Sequence, residues 1–146
     1  MSNKTIKKSV NHLDLSSYAQ SLISLMKPRV MSLVIFTCAV GLLTSNSNIN
    51  ITDSMIGITL VALGAGAAGC LNMWYEADLD ALMTRTCLRP IPTGQVTKNQ
   101  ALFFGVLLSM VSISLLYFSS NLMSASLLLL TICFYFFVYT VWLKRR

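Results

Sequence analysis

The sequence predicts an all-α integral membrane protein with about four transmembrane helices, and three observations support this fold class. Apolar residues make up 55% of the chain and charged residues only 11%, whereas a typical globular chain has about 25% charged residues. The apolar residues form four long runs. The Lys and Arg residues lie outside these runs or at their ends, which is where membrane proteins carry their positive charges.

The net charge of +6 could also suggest a nucleic-acid partner, since basic surfaces attract phosphate. The placement of the charges around apolar runs favours membrane topology instead, and we expect no nucleic-acid binding. The 4 cysteines form no C-x-x-C pair, so the sequence predicts neither a disulfide framework nor a zinc site.

The first two elements follow from the distribution of polar residues. Residues 1–26 are predicted to form a polar, basic tail that is retained in the protein. The first span is expected over about 28–46, beginning at Pro28, because proline is tolerated in the first turn of a helix. A span needs about 20 residues, so this one is short.

The second span is expected over about 53–75 and has a distinctive composition. Gly64, Gly66 and Gly69 alternate with alanines in its second half. Small residues on one helix face allow a neighbouring helix to approach closely. The sequence therefore predicts tight helix packing at this face.

The third and fourth spans are expected over about 101–118 and 122–143. If the N-terminus is cytoplasmic, all 11 Lys and Arg residues fall on the cytoplasmic side, because the two loops on the other side contain none. This one-sided distribution predicts the orientation of the bundle. We therefore expect a multi-pass protein in membrane lipid with its N-terminus in the cytoplasm.

Asn72, Glu76 and Asp80 recur at intervals of four residues across the end of the second apolar run. If the helix continues through them, they lie within about 80° of one another over about 12 Å of helix axis. Asp78 would then point away from this face. Two carboxylates at this spacing repel each other unless a cation lies between them.

The residues around this row indicate which cation and which ligand would suit it. Mg²⁺ prefers oxygen ligands and commonly binds one or two carboxylates together with substrate phosphates. Arg85 and Arg89 follow, at i and i+4 if that part is helical, and guanidinium groups suit phosphate oxygens. The combination predicts a Mg²⁺-diphosphate site. The alternative is an ordinary solvated loop, in which these charges serve only solubility and topology.

At these residues the sequence resembles the membrane-embedded aromatic prenyltransferases of the UbiA superfamily. Their first acidic motif, N-x-x-x-[D/E]-x-x-x-D, is followed by R-T-x-x-R-P, and here residues 72–80 and 85–90 match both. The segments 26–34 and 72–83 are most similar to the members that farnesylate protoheme. The resemblance covers about 24–146, and Cys87-Leu88 departs mildly from the more polar filling of the second motif.

The resemblance implies an all-α bundle of about nine transmembrane helices, of which residues 27–146 would be the N-terminal half. It implies that Glu76 and Asp80 bind Mg²⁺ and that Asn72 supports the diphosphate, so that these three form the catalytic row. It further implies that four cations bind or lie near the diphosphate: Arg85, Arg89, Lys27 and Arg29.

The resemblance also implies the reaction, which is transfer of a farnesyl group from farnesyl diphosphate to protoheme IX in the bacterial inner membrane. The second acidic motif of the family is absent from this chain. We therefore expect the polypeptide to be inactive by itself and a C-terminal half to be a further partner. Robust heme O formation by the purified chain would refute this expectation.

Two alternatives remain open from the sequence. The acceptor could be a quinone precursor of the 4-hydroxybenzoate type, because the acidic row handles the same diphosphate in either case. The chain could instead be a non-catalytic membrane assembly subunit, in which changes to Glu76 and Asp80 would matter less than changes to the glycine face. Mg²⁺-dependent binding of a prenyl diphosphate, lost in Asp80→Ala, discriminates between the enzyme and the assembly subunit.

Overall fold

The computed structural model describes residues 15–45, 48 and 50–143. The described residues are helical apart from short connections, and they contain no strand. The helices in chain order are α1 (Leu15–Leu25), α2 (Pro28–Thr44), α3 (Ile51–Leu82), α4 (Lys98–Ser119) and α5 (Leu122–Phe134), and α5 continues into a π-helical segment (Tyr135–Leu143). The predicted all-α class is confirmed.

In the part of the chain that the structure describes, three helices are long and apolar enough to cross a membrane: α3, α4, and α5 together with its π-helical segment. Helix α2 has only 17 residues, which is short for a membrane of ordinary thickness. Helices α1 and α2 qualify as one span when taken together, although they are bent by 57° at their junction. The first predicted span, about 28–46, overlaps the second helix of this pair, which begins at Pro28. Its predicted end at Asn46 lies outside the described residues.

Helix α1 lies within the segment that the sequence analysis assigned to a polar tail, and no helix was predicted there. Its apolar side chains Tyr18, Leu22 and Leu25 recur at the spacing of one helix face and pack against the buried cluster around Met73. Leu25 is fully buried. Burial of this face explains why the segment is helical despite its serines. Residues 1–14 of the predicted tail lie outside the described residues.

Helix α3 continues to Leu82, seven residues beyond the predicted end of the second span. The stretch after Gly69 contains no glycine or proline, and its polar side chains find partners inside the protein. The helix therefore extends beyond the apolar run from which it was predicted. Because α3 is continuous through residue 80, Asn72, Glu76 and Asp80 lie on one helix face.

The segment that contains Arg85 and Arg89 is not helical, so the helical arrangement considered for these two arginines is wrong. Residues 83–96 form successive turns rather than an α-helix, closed by bonds such as Arg89 N–H to the Thr86 carbonyl (3.1 Å) and Val96 N–H to the Pro90 carbonyl (3.1 Å). Pro90 and Pro92 lack the backbone N–H that a helix needs. The two arginines consequently do not share a helix face.

The glycines of α3 allow two different neighbours to approach. A Cβ atom built on Gly64 would lie 2.8 Å from Leu128 Cδ1 of α5, and one on Gly69 would lie 3.2 Å from the Met26 carbonyl oxygen at the α1–α2 junction. Close contact at the small-residue face is thus present. It positions the junction that carries Lys27.

Gly69→Val is expected to destabilise the fold by about 1–3 kcal/mol, because overpacking against rigid backbone forces the junction away. Gly57→Val on the same helix is the matched control, since no atom lies within 4 Å of a Cβ at Gly57. Thermal unfolding in detergent should show a lower melting temperature for Gly69→Val only. Equal melting temperatures for the two variants would contradict the packing argument.

Candidate functional site

The predicted acidic row is buried on one face of α3. Asn72, Glu76 and Asp80 are 0%, 3% and 4% exposed, respectively, whereas the side chain of Asp78 is 73% exposed and pairs with Lys98. The helix therefore turns Asp78 away from the row, as the sequence predicted. Buried carboxylates are costly unless they are paired or hydrogen-bonded, so the partners of the row define its chemistry.

Asn72 is the centre of a network that joins three parts of the chain. Its Oδ1 accepts a hydrogen bond from Lys27 Nζ. Its Nδ2 donates to Glu76 Oε1 (2.8 Å) and to Thr140 Oγ1 (3.1 Å). An ammonium group can only donate and a carboxylate can only accept, so these partners fix which way the Asn72 amide points.

Lys27 reaches the row because the chain breaks between α1 and α2. Its backbone adopts a left-handed conformation with φ of 52°, which non-glycine residues adopt only at a cost of about 1–2 kcal/mol. The adjacent Leu25 and Met26 carbonyls lie against Gly69, and this contact holds the junction on α3. Arg29, two residues later on α2, is exposed, so the structure separates two cations that the sequence grouped together.

Asp80 is paired with Arg89 from the turns after α3. Arg89 Nη1 lies 2.6 Å from Asp80 Oδ2, and the two side chains are 27% and 6% exposed. Buried Thr86 donates from Oγ1 to the Asp80 backbone carbonyl (3.0 Å) and thereby folds the turns back over the end of α3. Arg85 is exposed; of the two arginines, only Arg89 pairs with the row.

The row suits a hard cation that is shared with a ligand. Within residues 15–45, 48 and 50–143, no group of three or more His, Cys, Asp or Glu side chains is placed to enclose a metal ion. Glu76 and Asp80 supply carboxylate oxygens, and Mg²⁺ commonly takes one or two such ligands and completes its shell with waters and phosphates. The donor set therefore fits a metal that arrives with a phosphate ligand better than a permanently enclosed one.

An apolar groove of about 700 Å³ runs along the bundle between α2, α3 and α5. Lys27 and Tyr135 line it at the end near the row, and Asp53 and Asn121 line it at the far end. Its volume lies within the range of about 300–1,000 Å³ that is typical of small-molecule sites. Polar groups thus line both ends of the groove, and the end near the row carries the cation Lys27.

Thr86 and Thr140, which were not predicted as site residues, both bond to the row or its backbone. Thr86 was noted only as part of a motif. Thr140 lies in the fourth apolar run, for which no site residue was predicted. The sequence feature that pointed to Thr140 is a hydroxyl in an otherwise apolar stretch. This feature is a weak indication of a site residue, because such hydroxyls usually bond within their own helix.

Comparisons with known proteins agree with this architecture. Residues 33–146 match the model of the UbiA prenyltransferase family. The chain is 60% identical over its whole length to a protoheme IX farnesyltransferase from Pelagibacter ubique, covering 48% of that protein. It is 52% identical over 84% of its length to one from Methylorubrum populi, covering 38% of that protein.

The chain thus spans about half the length, or less, of the curated relatives it matches. No solved structure matches it at a significant level. The family match covers well over half of the chain and includes the entire acidic row and the turns that follow it. The chain therefore belongs to the UbiA prenyltransferase family.

Proposed function

We propose that this chain forms the diphosphate-binding half of an enzyme that transfers a farnesyl group from farnesyl diphosphate to protoheme IX (heme B), giving heme O for terminal oxidases. The observation that carries the proposal is the buried row of Asn72, Glu76 and Asp80 beside Lys27 and Arg89, because Lys27 also lines the apolar groove. The names of the relatives support the identity of the prenyl donor and the acceptor.

In this proposal Glu76 and Asp80 would hold Mg²⁺, and Lys27 and Arg89 would bind oxygens of the diphosphate. Lys27 already lies against Asn72, and Arg89 already lies against Asp80. Arriving phosphate oxygens would take over Arg89, which would release the Asp80 carboxylate for the metal, while Lys27 would bind phosphate from its position on Asn72. Arg85 and Arg29 are exposed and would contribute from the rim.

The reaction breaks the allylic C–O bond of farnesyl diphosphate, and the diphosphate leaves with the bonding electron pair. Mg²⁺, when bound, supplies positive charge that stabilises the departing group. Lys27 and Arg89 are placed to stabilise the same developing charge, while Asn72 holds Lys27 in position. A vinyl carbon of protoheme then bonds to the farnesyl carbon, and water adds to the neighbouring vinyl carbon and loses a proton.

The apolar groove suits the farnesyl chain, because it continues from Lys27 along the apolar faces of α2, α3 and α5. Burying the chain there removes apolar surface from water. It also holds the reactive allylic carbon next to the cations. The groove therefore links the diphosphate position with the direction of the prenyl tail.

The proposal is tested with the purified chain in lipid nanodiscs and radiolabelled farnesyl diphosphate. Binding should be at least about tenfold tighter in Mg²⁺ than in EDTA, because Glu76 and Asp80 would hold an ion that also attracts the phosphates. Farnesol, which lacks the diphosphate, is the control and should show no Mg²⁺ dependence. Equal binding with and without Mg²⁺ would overturn the proposal.

The acceptor requires a separate experiment. The chain would be supplied together with the C-terminal half of the Pelagibacter ubique relative and with both candidate acceptors, protoheme and 4-hydroxybenzoate. Mass spectrometry should find heme O. Prenylated 4-hydroxybenzoate in its place would contradict the proposed acceptor.

We also propose that the row faces the cytoplasm in a bacterial inner membrane. The Lys and Arg residues that the structure describes gather at the row's end of the bundle, either paired with α3 or adjacent to those pairs: Lys27, Arg29, Arg85, Arg89 and Lys98. Positive charges favour the cytoplasmic side. A membrane-impermeant maleimide should therefore label Cys87 in inverted vesicles and leave it unlabelled in spheroplasts, and the reverse pattern would refute this orientation.

A further inference from the structure

Thr140 is a polar residue buried in the most apolar part of the chain. It lies in the π-helical segment after α5, it is 0% exposed, and it is the only buried residue of that segment. Its Oγ1 lies 3.1 Å from Asn72 Nδ2, across 68 residues of sequence. This contact ties the fourth span to the acidic row.

The direction of this hydrogen bond is fixed by its surroundings. Thr140 Oγ1 donates its proton to the Tyr135 carbonyl oxygen (3.1 Å). A hydroxyl has one proton and two lone pairs, so the oxygen is left to accept from the Asn72 amide. The other partners of that amide are Glu76 and Lys27, and Thr140 supplies the third point that holds it.

The π-helical backbone is what distinguishes this threonine from the others. The hydroxyls of Thr37, Thr44, Thr59 and Thr131 donate to carbonyls three or four residues earlier, as in ordinary α-helices. Thr140 donates to a carbonyl five residues earlier. π-helical turns are rare and occur frequently at functional sites. Here the wider turn accompanies a hydroxyl that is directed at another helix.

We propose that Thr140 is a positioning residue that orients Asn72, so that its amide oxygen holds Lys27 and its amide nitrogen holds Glu76 for the Mg²⁺-diphosphate. This inference rests on the proposed function of the row and extends it to the fourth span. Thr140 touches neither metal nor substrate in this role. Outer partners of metal ligands typically contribute about 10–100-fold to affinity or activity.

The test compares Thr140→Val, which keeps the shape and removes the hydroxyl, with Thr140→Ser, which keeps the hydroxyl. The measured quantity is the Mg²⁺ concentration that gives half-maximal binding of farnesyl diphosphate to the chain in nanodiscs. Thr140→Val should raise this concentration about tenfold. Thr140→Ser should require about the same Mg²⁺ concentration as the wild-type chain. Thr59→Val is the matched control, because its hydroxyl bonds to Met55 of the same helix and it does not line the groove.

A second readout needs no ligand. In a chain labelled with ¹⁵N-asparagine, the side-chain amide signal of Asn72, assigned by its loss in Asn72→Asp, should shift in Thr140→Val and return in Thr140→Ser. Where Thr140→Val fails to fold, Thr140→Ala gives the same comparison. A purely structural role would lower the melting temperature without changing the Mg²⁺ requirement.

The outcomes separate the two proposals. A wild-type chain that binds in a Mg²⁺-dependent manner, together with an unchanged Mg²⁺ requirement in Thr140→Val, overturns the positioning role alone. A Thr140→Ser variant as impaired as Thr140→Val also overturns it, since the hydroxyl would then not be the cause. A wild-type chain without Mg²⁺-dependent binding overturns the proposed function, and the positioning role with it.

Discussion

Asp80→Asn is expected to weaken Mg²⁺-dependent binding of farnesyl diphosphate about 100-fold, which corresponds to about 2.7 kcal/mol. The change replaces one of the two carboxylates proposed to hold the ion with a neutral amide. It also leaves Arg89 beside a neutral group instead of the buried carboxylate that it pairs with at 2.6 Å. Binding is measured with radiolabelled ligand over a range of Mg²⁺ concentrations.

Asp78→Asn is the matched control for this variant. Asp78 lies two residues away on the same helix, carries the same group and also pairs with a cation, Lys98, but its side chain is 73% exposed. Exposed pairs contribute little, about 0–1 kcal/mol, so binding should change less than about threefold. Similar losses in the two variants would show that net charge, and not the buried row, determines affinity.

Lys27→Met is expected to lower the affinity for farnesyl diphosphate by about 10–100-fold, the second largest effect. The variant keeps an apolar stem of similar length but removes the ammonium group that bonds to Asn72, in a residue that lines the groove. Hydrogen bonds to charged groups contribute about 1.5–3 kcal/mol. The affinity for farnesol, measured without Mg²⁺, should be the same in Lys27→Met and in the wild-type chain, because farnesol has no phosphate for the ammonium group to bind.

Arg29→Met is the corresponding control, since Arg29 lies two residues further along the chain and is exposed on the first turn of α2. Its replacement should reduce affinity less than about threefold, as expected for an exposed charge screened by salt. An equal loss in Arg29→Met would indicate a general electrostatic attraction to this end of the bundle. The specific role of the α1–α2 junction would then be wrong.

The acidic row could be predicted from the sequence because it depends on a local rule. A helix that continues past Tyr75 places residues 72, 76 and 80 on one face and turns Asp78 away, and all of this follows from 3.6 residues per turn. The cationic turns after α3 could not be predicted in the same way. Pro90 and Pro92 disfavour a helix there, and the actual path depends on the bond between Thr86 and the Asp80 carbonyl.

Contacts between distant parts of the chain could not be predicted from sequence patterns. Lys27 and Asn72 are 45 residues apart, and their contact requires both the break after α1 and the small residue at Gly69. Asn72 and Thr140 are 68 residues apart. No periodicity in the sequence predicts either contact, because only tertiary packing brings the partners together.

Helix α1 was missed for a different reason. Its segment is rich in serine and follows several lysines, so its composition indicated a tail. The helix is stabilised by burial of Leu25 and its neighbours on α3, and most helical stability in proteins comes from such packing rather than from intrinsic propensity. The consequence matters for the site, because α1 ends where the chain turns Lys27 toward the row.

The two buried carboxylates of the row have partners within the chain. Asn72 and Arg89 contact Glu76 and Asp80 respectively, and Lys27 holds the far side of the Asn72 amide. A buried carboxylate without such partners would be strongly destabilising. We therefore expect the row to keep its arrangement before ligand arrives and to exchange partners when Mg²⁺ and diphosphate bind.

The most direct test of the central claim replaces Mg²⁺ with Mn²⁺ in a chain that carries ¹³C-labelled aspartate carboxyl groups. Electron–nuclear double resonance, with farnesyl diphosphate present, should show both ³¹P and ¹³C couplings to the ion. The ¹³C coupling should vanish in Asp80→Asn and persist in Asp78→Asn. A ³¹P coupling without any ¹³C coupling in the wild-type chain would mean that Asp80 does not ligate the ion, and would contradict the account.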